Sequence, residues 1–248
     1  MSRVVVAGAT GRVGRVMMSG LAQYPNIEIV GGFGSASAAA KLETLAPGAD
    51  VLVDFTSGSA ASELLCAAAR LGLHVVSGTS GLSIQDLEKI DSELKANQRG
   101  GLWAANFAIG GALMMYFARV AARFMDAAEV IELHHDRKVD APSGTAVQTA
   151  RDIRAAHGTD LPDPQVEKWT LQGSRGAVDG GVRIHSVRLP GLNAHQEVLF
   201  GAAGQILTLR HDALGREAYL PGVALGIREV PKRIGLIRGL DTLMGLQP

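Results

Sequence analysis

The sequence predicts an α/β chain in two parts, a domain built on a parallel sheet followed by an α+β domain. Three observations carry that prediction. From Arg3 to Asn106, short β-branched runs alternate with helical runs, the rhythm of repeated βα units with right-handed crossovers. A G-x-x-G-x-x-G turn, Gly8-Ala9-Thr10-Gly11-Arg12-Val13-Gly14, joins the first run to the second. After Glu129 the segments alternate polar with apolar residues and are linked by glycine turns, which reads as a mixed or antiparallel sheet.

The first strand is RVVVA, residues 3–7, a β-branched run suited to burial on both faces. The glycine turn and a helical run, RVMMSGLAQY, follow it at once. Strand, glycine turn and helix in that order form a Rossmann-type dinucleotide fingerprint. Its glycines permit the tight turn and the close approach of a pyrophosphate to the helix start, so Gly8 through Val13 are candidate cofactor contacts. The second strand is IEIVGGF, residues 27–33. A dinucleotide site carries an acid for the ribose hydroxyls about 20 residues beyond the glycines. Here that place reads Gly32-Phe33-Gly34-Ser35, and the next acid is Glu43. A pocket around Gly34 and Ser35 that is uncommitted, or that tolerates a 2′-phosphate, is expected, with Arg12 as the nearest cation.

The third strand, ADVLVDFT, ends at Asp54-Phe55-Thr56 and leads into a helix from about Ser59 to Leu71. Cys66 lies in that helix among leucines and alanines, where it reads as a small buried residue. The fourth strand, LHVVSG, runs into Gly78-Thr79-Ser80-Gly81, and a polar helix spans roughly Ser83 to Asn97. The fifth, GLWAAN, ends at Asn106-Phe107 before an apolar helix from about Gly110 to Phe124. Small-residue turns at the carboxyl ends of parallel strands are where open α/β sheets keep their ligands.

The densest collection of reactive groups is EVIELHHDRKVDAPSGTA, Glu129 to Ala146. Its left half reads as a strand, its middle as a loop, and TAVQTARDIRAA as a helix with Thr145 and Gln148 at capping-box spacing. A helix start attracts anions, and Gly144 lets a ligand approach the backbone. Lys138 adds a full positive charge. The cluster therefore suits a small carboxylate or phosphate, against the blander reading of a solvated surface loop. Adjacent His134 and His135 point to opposite faces of a strand, so they are poor joint ligands for one metal. No metal is expected. Further on, VDGGVRIHSVRLPG, HQEVLFGAAG and QILTLRHDA read as strands, and a helix is expected from Leu220 to Ile227.

The totals exclude several classes. Lys plus Arg equals Asp plus Glu at 24 each, so no net field recruits nucleic acid or an anionic membrane. One cysteine permits no intrachain disulfide and suits a reducing compartment. MSRVVVAGATG holds too short an apolar run for a signal peptide, and no stretch approaches the roughly 20 apolar residues of a membrane span. A cytoplasmic protein is expected. Short-chain dehydrogenases need Tyr-x-x-x-Lys, but the residues four after Tyr24, Tyr116 and Tyr219 are Glu28, Val120 and Val223. Ser143 sits in P-S-G-T rather than in a nucleophile elbow.

GATGRVG, DFT, SGTSG, AANFAIG and above all ELHHDRKVDAPSGTA resemble the dihydrodipicolinate reductase (4-hydroxy-tetrahydrodipicolinate reductase) family of lysine biosynthesis. The likeness continues through SVRLPGLNAHQEVLFG and LRHDALGREAYLPG, covering nearly the whole chain. It implies an enzyme that uses NADPH and/or NADH to reduce a cyclic imine dicarboxylate. It further implies His134 and Lys138 as the catalytic pair, with Lys138 favoured as proton donor. His135, Ser143, Gly144 and Thr145 would hold the substrate carboxylates. Gly78, Thr79 and Ser80 with Ala104, Ala105, Asn106 and Phe107 would line the nicotinamide side. Residues 1–106 with about 217–248 would form the dinucleotide domain, and 107–216 the substrate and oligomerisation domain of a homotetramer. The competing reading is a dinucleotide-sensing regulator without catalysis, which would keep the glycine turn but need none of the second cluster.

Overall fold

The computed structural model describes residues 1–34 and 38–246, without side-chain detail at residues 59 and 60. The chain divides into two compact units: Met1–Ile109 with Arg216–Leu246, and Gly110–Gly215.

In the first unit, β1 (Ser2–Ala7), β2 (Ile27–Phe33), β3 (Val51–Asp54), β4 (His74–Ser77) and β5 (Gly100–Trp103) alternate with four helices. These are α1 (Arg12–Leu21), α2 (Ala38–Leu45), α3 (Gly58–Arg70) and α4 (Ile84–Ala96). Every residue of β3 and β4 is buried, as are Val4 to Ala7 of β1. Apolar runs with both faces covered have to be parallel and central, and each fully buried valine stabilises the unit by about 1.5–3 kcal/mol. Polar Ser83 caps α4, accepting from Asp86 N while Asp86 returns the bond, which stops the helix at that residue. His74 is buried at the start of β4, where its Nδ1 accepts the Gly100 N–H and clips the strand to β5. Burial, then the Arg99 charge, pushes its imidazole below the usual range and keeps it neutral for that bond.

With a sixth strand, β11 (Gly235–Arg238), the strand order among the described residues is β11-β5-β4-β3-β1-β2, all parallel. That sixth strand comes from the chain's end, after α7 (Leu220–Glu229) and before a short α8 (Leu240–Leu243). The order reverses between β1 and β3, so the carboxyl ends of those strands flank the switch point where such sheets bind ligands.

The second unit takes α5 (Ile109–Ala122) from its second residue onward, then β6 (Ala127–His134), α6 (Gly144–His157), β7 (Ala177–Asp179), β8 (Val182–Arg188), β9 (Ala194–Ala202) and β10 (Gln205–Ala213). Its described sheet runs β10-β9-β6-β8-β7 and is mixed. β8 is parallel to β6 because α6 carries the chain over between them, while β9 and β10 form an antiparallel meander. Val130, Val198, Phe200, Val182 and Ile184 turn inward under Ala146, Ala150 and Ile153 of α6. That packing fixes the height at which α6 begins beside the end of β6. Among the described residues no helix is long and apolar enough to cross a membrane.

Candidate active site

In the first unit the glycine turn closes tightly at the end of β1. Gly8 has φ +77, and a Cβ there would sit 2.4 Å from the Phe55 carbonyl oxygen. A Cβ on Gly14 would lie 2.0 Å from the Gly8 oxygen, so α1 packs directly on the turn. No other residue type fits either position. Gly11 is the N-cap of α1 with no side-chain capping bond, and the first turn carries no acid. The N–H groups of that turn and the positive end of the helix dipole are therefore left for an anion. Thr10, Gly11 and Arg12 are exposed, Ala9 and Val13 half-buried. Gly34 lies against Thr10, at the end of β2. Ser35, the other half of that expected pocket, falls outside the described residues.

The remaining candidate residues of this unit gather around two groups of the DFT segment to which the motifs assigned no role. Phe55, just beyond β3, stacks edge-on against Phe107 at 6.0 Å and abuts both Gly8 and Gly78. Asp54 is fully buried and accepts from Thr56 N and Oγ1, from Ser77 Oγ at 2.7 Å and from Thr79 Oγ1 at 2.8 Å. It ties the ends of β3 and β4 together. The Thr79 carbonyl in turn accepts the indole N–H of Trp103. Asn106 Oδ1 accepts the Ala108 N–H, which shapes the turn into α5; Ala104 is buried there and Ala105 exposed. Gly8, Gly78, Thr79 and Phe107 thus share one rim, at the carboxyl edge of the sheet.

In the second unit β6 ends at His134, and the loop to α6 includes a cis Ala141–Pro142 bond. Ser143, not Thr145, is the N-cap: its Oγ accepts the Ala146 N–H at 3.2 Å. The expected capping box from Thr145 to Gln148 does not form, because the helix begins at Gly144, two residues beyond Pro142, and Thr145 already lies within its first turn. With Ala146 N–H spent on that cap, the Gly144 and Thr145 N–H groups have no capping side chain. Gly144 is exposed, and a Cβ there would meet nothing within 4 Å. The helix start faces open space.

The cluster is organised by Glu132, two residues before His134 on the same strand face, with no solvent exposure. Arg188 on β8 forks onto it, Nη2 to Oε1 at 2.7 Å and Nη1 to Oε2 at 2.9 Å. The Ser143 N–H donates to Oε1 at 3.2 Å, and His134 Nδ1 meets Oε2 at 2.5 Å. Burial by itself would raise this carboxyl. Hydrogen bonds from His134, Arg188 and Ser186 outweigh it and hold the group at about 2. Arg188 also donates to the Asp140 carbonyl at 2.8 Å. Lys138 Nζ reaches both Asp140 carboxylate oxygens, at 2.7 and 2.8 Å, and that contact lowers the Asp140 carboxyl, outweighing burial, which would raise it. Glu132, Arg188 and Asp140 therefore link His134, Ser143 and Lys138 in one network. His135 lies one residue past the strand, so pleat alternation does not govern it; its Nδ1 is buried and has no hydrogen-bond partner among the described residues. Among those residues no group of three or more His, Cys, Asp or Glu side chains could hold a metal ion.

Comparison with known proteins bears on the whole chain. The family profile described as "Dihydrodipicolinate reductase, N-terminus" matches residues 2–107, and that described as "Dihydrodipicolinate reductase, C-terminus" matches residues 110–244. The chain belongs to the dihydrodipicolinate reductase family. Among relatives named 4-hydroxy-tetrahydrodipicolinate reductase, that of Cutibacterium acnes is 44% identical over 252 residues, covering 100% of both chains. That of Nocardia farcinica is 45% identical over 251 residues, covering 98% of this chain and 99% of its own. A solved dipicolinate-bound dihydrodipicolinate reductase from Paenisporosarcina sp. TG-14 superposes with a TM-score of 0.88 at 34% identity, over 98% of this chain and 99% of that one. An amine dehydrogenase from Mycobacterium smegmatis, at 14% identity and TM-score 0.62, shares the fold alone.

Within the dihydrodipicolinate reductase frame, four residues join those the motifs pointed to. Asp54, Phe55, Glu132 and Arg188 hold the candidate side chains without being conspicuous themselves. Asp54 and Phe55 stand in the DFT segment at a strand end, and Glu132 left a further signal, the E-x-H spacing that puts it on the His134 face of one strand.

Proposed function

We propose that the chain reduces the double bond conjugated to the imine of a dihydrodipicolinate-type cyclic dicarboxylate, giving tetrahydrodipicolinate in lysine and diaminopimelate biosynthesis. In this reading the first unit binds NADPH or NADH and the second binds substrate. The observation that carries it is the Glu132 network beside an uncovered helix start: two proton-bearing side chains and an anion-ready backbone meet in a few residues. The reduced nicotinamide supplies the hydride. The residues of the first unit fit that cofactor, because Gly8 and Gly14 leave no room for side chains and the α1 start offers free N–H groups to a pyrophosphate. Thr79, tethered by Asp54, and Ala104 to Phe107 line the nicotinamide side.

Hydride addition to a conjugated imine leaves an electron pair on the substrate that needs a proton and an electrostatic partner. Lys138 is the proton donor, its ammonium kept at the loop mouth by Asp140 until the substrate arrives. His134 assists beside it. The Gly144 and Thr145 N–H groups, with the Thr145 hydroxyl and His135, take a substrate carboxylate; Ser143 shapes that cradle as the cap. The open space at Gly144 admits a carboxylate at backbone contact. A regulator that only sensed dinucleotide would have no use for these groups.

The protein is read as a cytoplasmic homotetramer assembled through the second unit's sheet. The described sheet ends at β10, an edge strand whose Ile206 is 78% exposed. Light scattering should then give four times the 25.9 kDa chain mass. The substrate site is tested by titrating dipicolinate into isotopically labelled protein. Amide shifts should concentrate at Gly144, Thr145 and Ala146; a titration that leaves these three unmoved removes the helix start from substrate binding.

A further inference from the structure

Glu132 does more than the fold requires of a buried carboxylate. Arg188 alone would neutralise it, with both guanidinium nitrogens in place. Besides Ser186 on β8, two further donors converge on it from either end of the loop: His134 at the strand end and Ser143 at the helix cap. An ionised carboxylate can only accept, so the His134 nitrogen facing it has to carry the hydrogen. Resting on the reading of His134 as part of the reaction, we propose that Glu132 is a positioning residue that fixes the tautomer and orientation of His134 and locks that ring to the substrate-carboxylate cradle.

The consequence is a division of labour within one imidazole. Nδ1 keeps its hydrogen whether the ring is neutral or charged, and all proton exchange by His134 passes through Nε2. A neutral His134 accepts at Nε2 and has no proton there to give, which leaves that task to the Lys138 ammonium. Oε1, meanwhile, holds the Ser143 backbone, so a displacement of the ring and a displacement of the helix start are coupled through one rigid group. Partners that orient a catalytic imidazole typically matter to the rate while touching no substrate.

The test is a kinetic double-mutant cycle on the full-length protein with E132Q and H134Q. A glutamine keeps the length of Glu132 but can offer an N–H to Nδ1, favouring the opposite tautomer. E132Q should lower kcat by about tenfold or more, by analogy with other imidazole-orienting groups, with KM changed far less. In the H134Q background the same substitution should cost almost nothing, because there is no ring left to orient. An equal loss with and without His134 would make Glu132 merely structural and overturn the positioning role, leaving the reductase reading intact. Full activity of H134Q alone would remove His134 from the reaction, and the positioning role with it. A measurement on the unmutated protein covers the case in which E132Q does not fold. Nitrogen-15 NMR of labelled histidine should show His134 protonated at Nδ1 across the titration; a neutral ring with a bare Nδ1 would overturn the proposal.

Discussion

Acid should separate the unmutated protein from E132Q in a way that no other carboxylate can reproduce. Glu132 has no solvent exposure and is held at about 2, well below the 4.5 of a free glutamate. A folded-state value below the unfolded one means stability that is present above the unfolded value and lost as pH falls through the folded one. The difference of about 2.5 units, at 1.36 kcal/mol each, amounts to about 3 kcal/mol. Glutamine does not titrate, so its stability lacks this component at every pH. Urea unfolding of both proteins, followed by fluorescence at half-unit steps, reads the difference directly. The advantage of the unmutated protein should be flat from pH 7 to about 5 and shrink by about 3 kcal/mol between there and pH 2. Carboxylates elsewhere, such as Asp212 and Glu229, titrate in both proteins and cancel in the subtraction. A gap that stays constant down to pH 2 would show that the Glu132 charge is not what Arg188 and His134 stabilise.

Other consequences are simpler to read. Lys138→Ala should lower kcat by about a hundredfold or more, the usual span for a lost general acid, while NADPH binding is retained; unchanged turnover would take Lys138 out of the mechanism. Gly8→Ala forces a side chain into φ +77 and to 2.4 Å from the Phe55 oxygen. It should cost about 1–3 kcal/mol of stability and abolish calorimetric NADPH binding, and wild-type affinity would argue against the glycine cradle. Because Gly32-Phe33-Gly34 offers no acid to the ribose, NADPH should be used at least as well as NADH. A kcat/KM ratio strongly favouring NADH would mean that another group takes the ribose hydroxyls.

Much of the first unit is legible in the sequence, for a physical reason. Strands buried on both faces are continuous apolar runs, so VVVA, VLVD and HVVS stand out, and each ends in a glycine or small polar turn. β11 escapes because four residues, GLIR, with two of them apolar, carry no periodicity of their own. Its existence depends on pairing with β5. α2 escapes likewise: an alanine-rich segment with one fully buried side chain, Leu42, has little amphipathic signal. In the second unit the segments are legible but their directions are not. VRIHSVR is a strand either way, and only the α6 crossover makes it parallel to β6. The site shows the same limit. His134, Lys138 and Gly144 announce themselves as chemical types, whereas Arg188 comes from 56 residues beyond Glu132 and could be matched to it only through strand pairing. Spacing pointed to Thr145 as the cap, whereas the loop places Ser143 there, a choice that side-chain types alone do not make.

In the proposed reaction two clusters, a dinucleotide cradle and an acid-bearing carboxylate site, serve one reduction. The most direct test adds 4-hydroxy-tetrahydrodipicolinate to the protein with NADPH, and separately with NADH, following cofactor oxidation and tetrahydrodipicolinate formation together. At least one cofactor should be oxidised catalytically, with one product formed per cofactor consumed. Tight cofactor binding with no turnover of either would contradict it and favour a dinucleotide sensor.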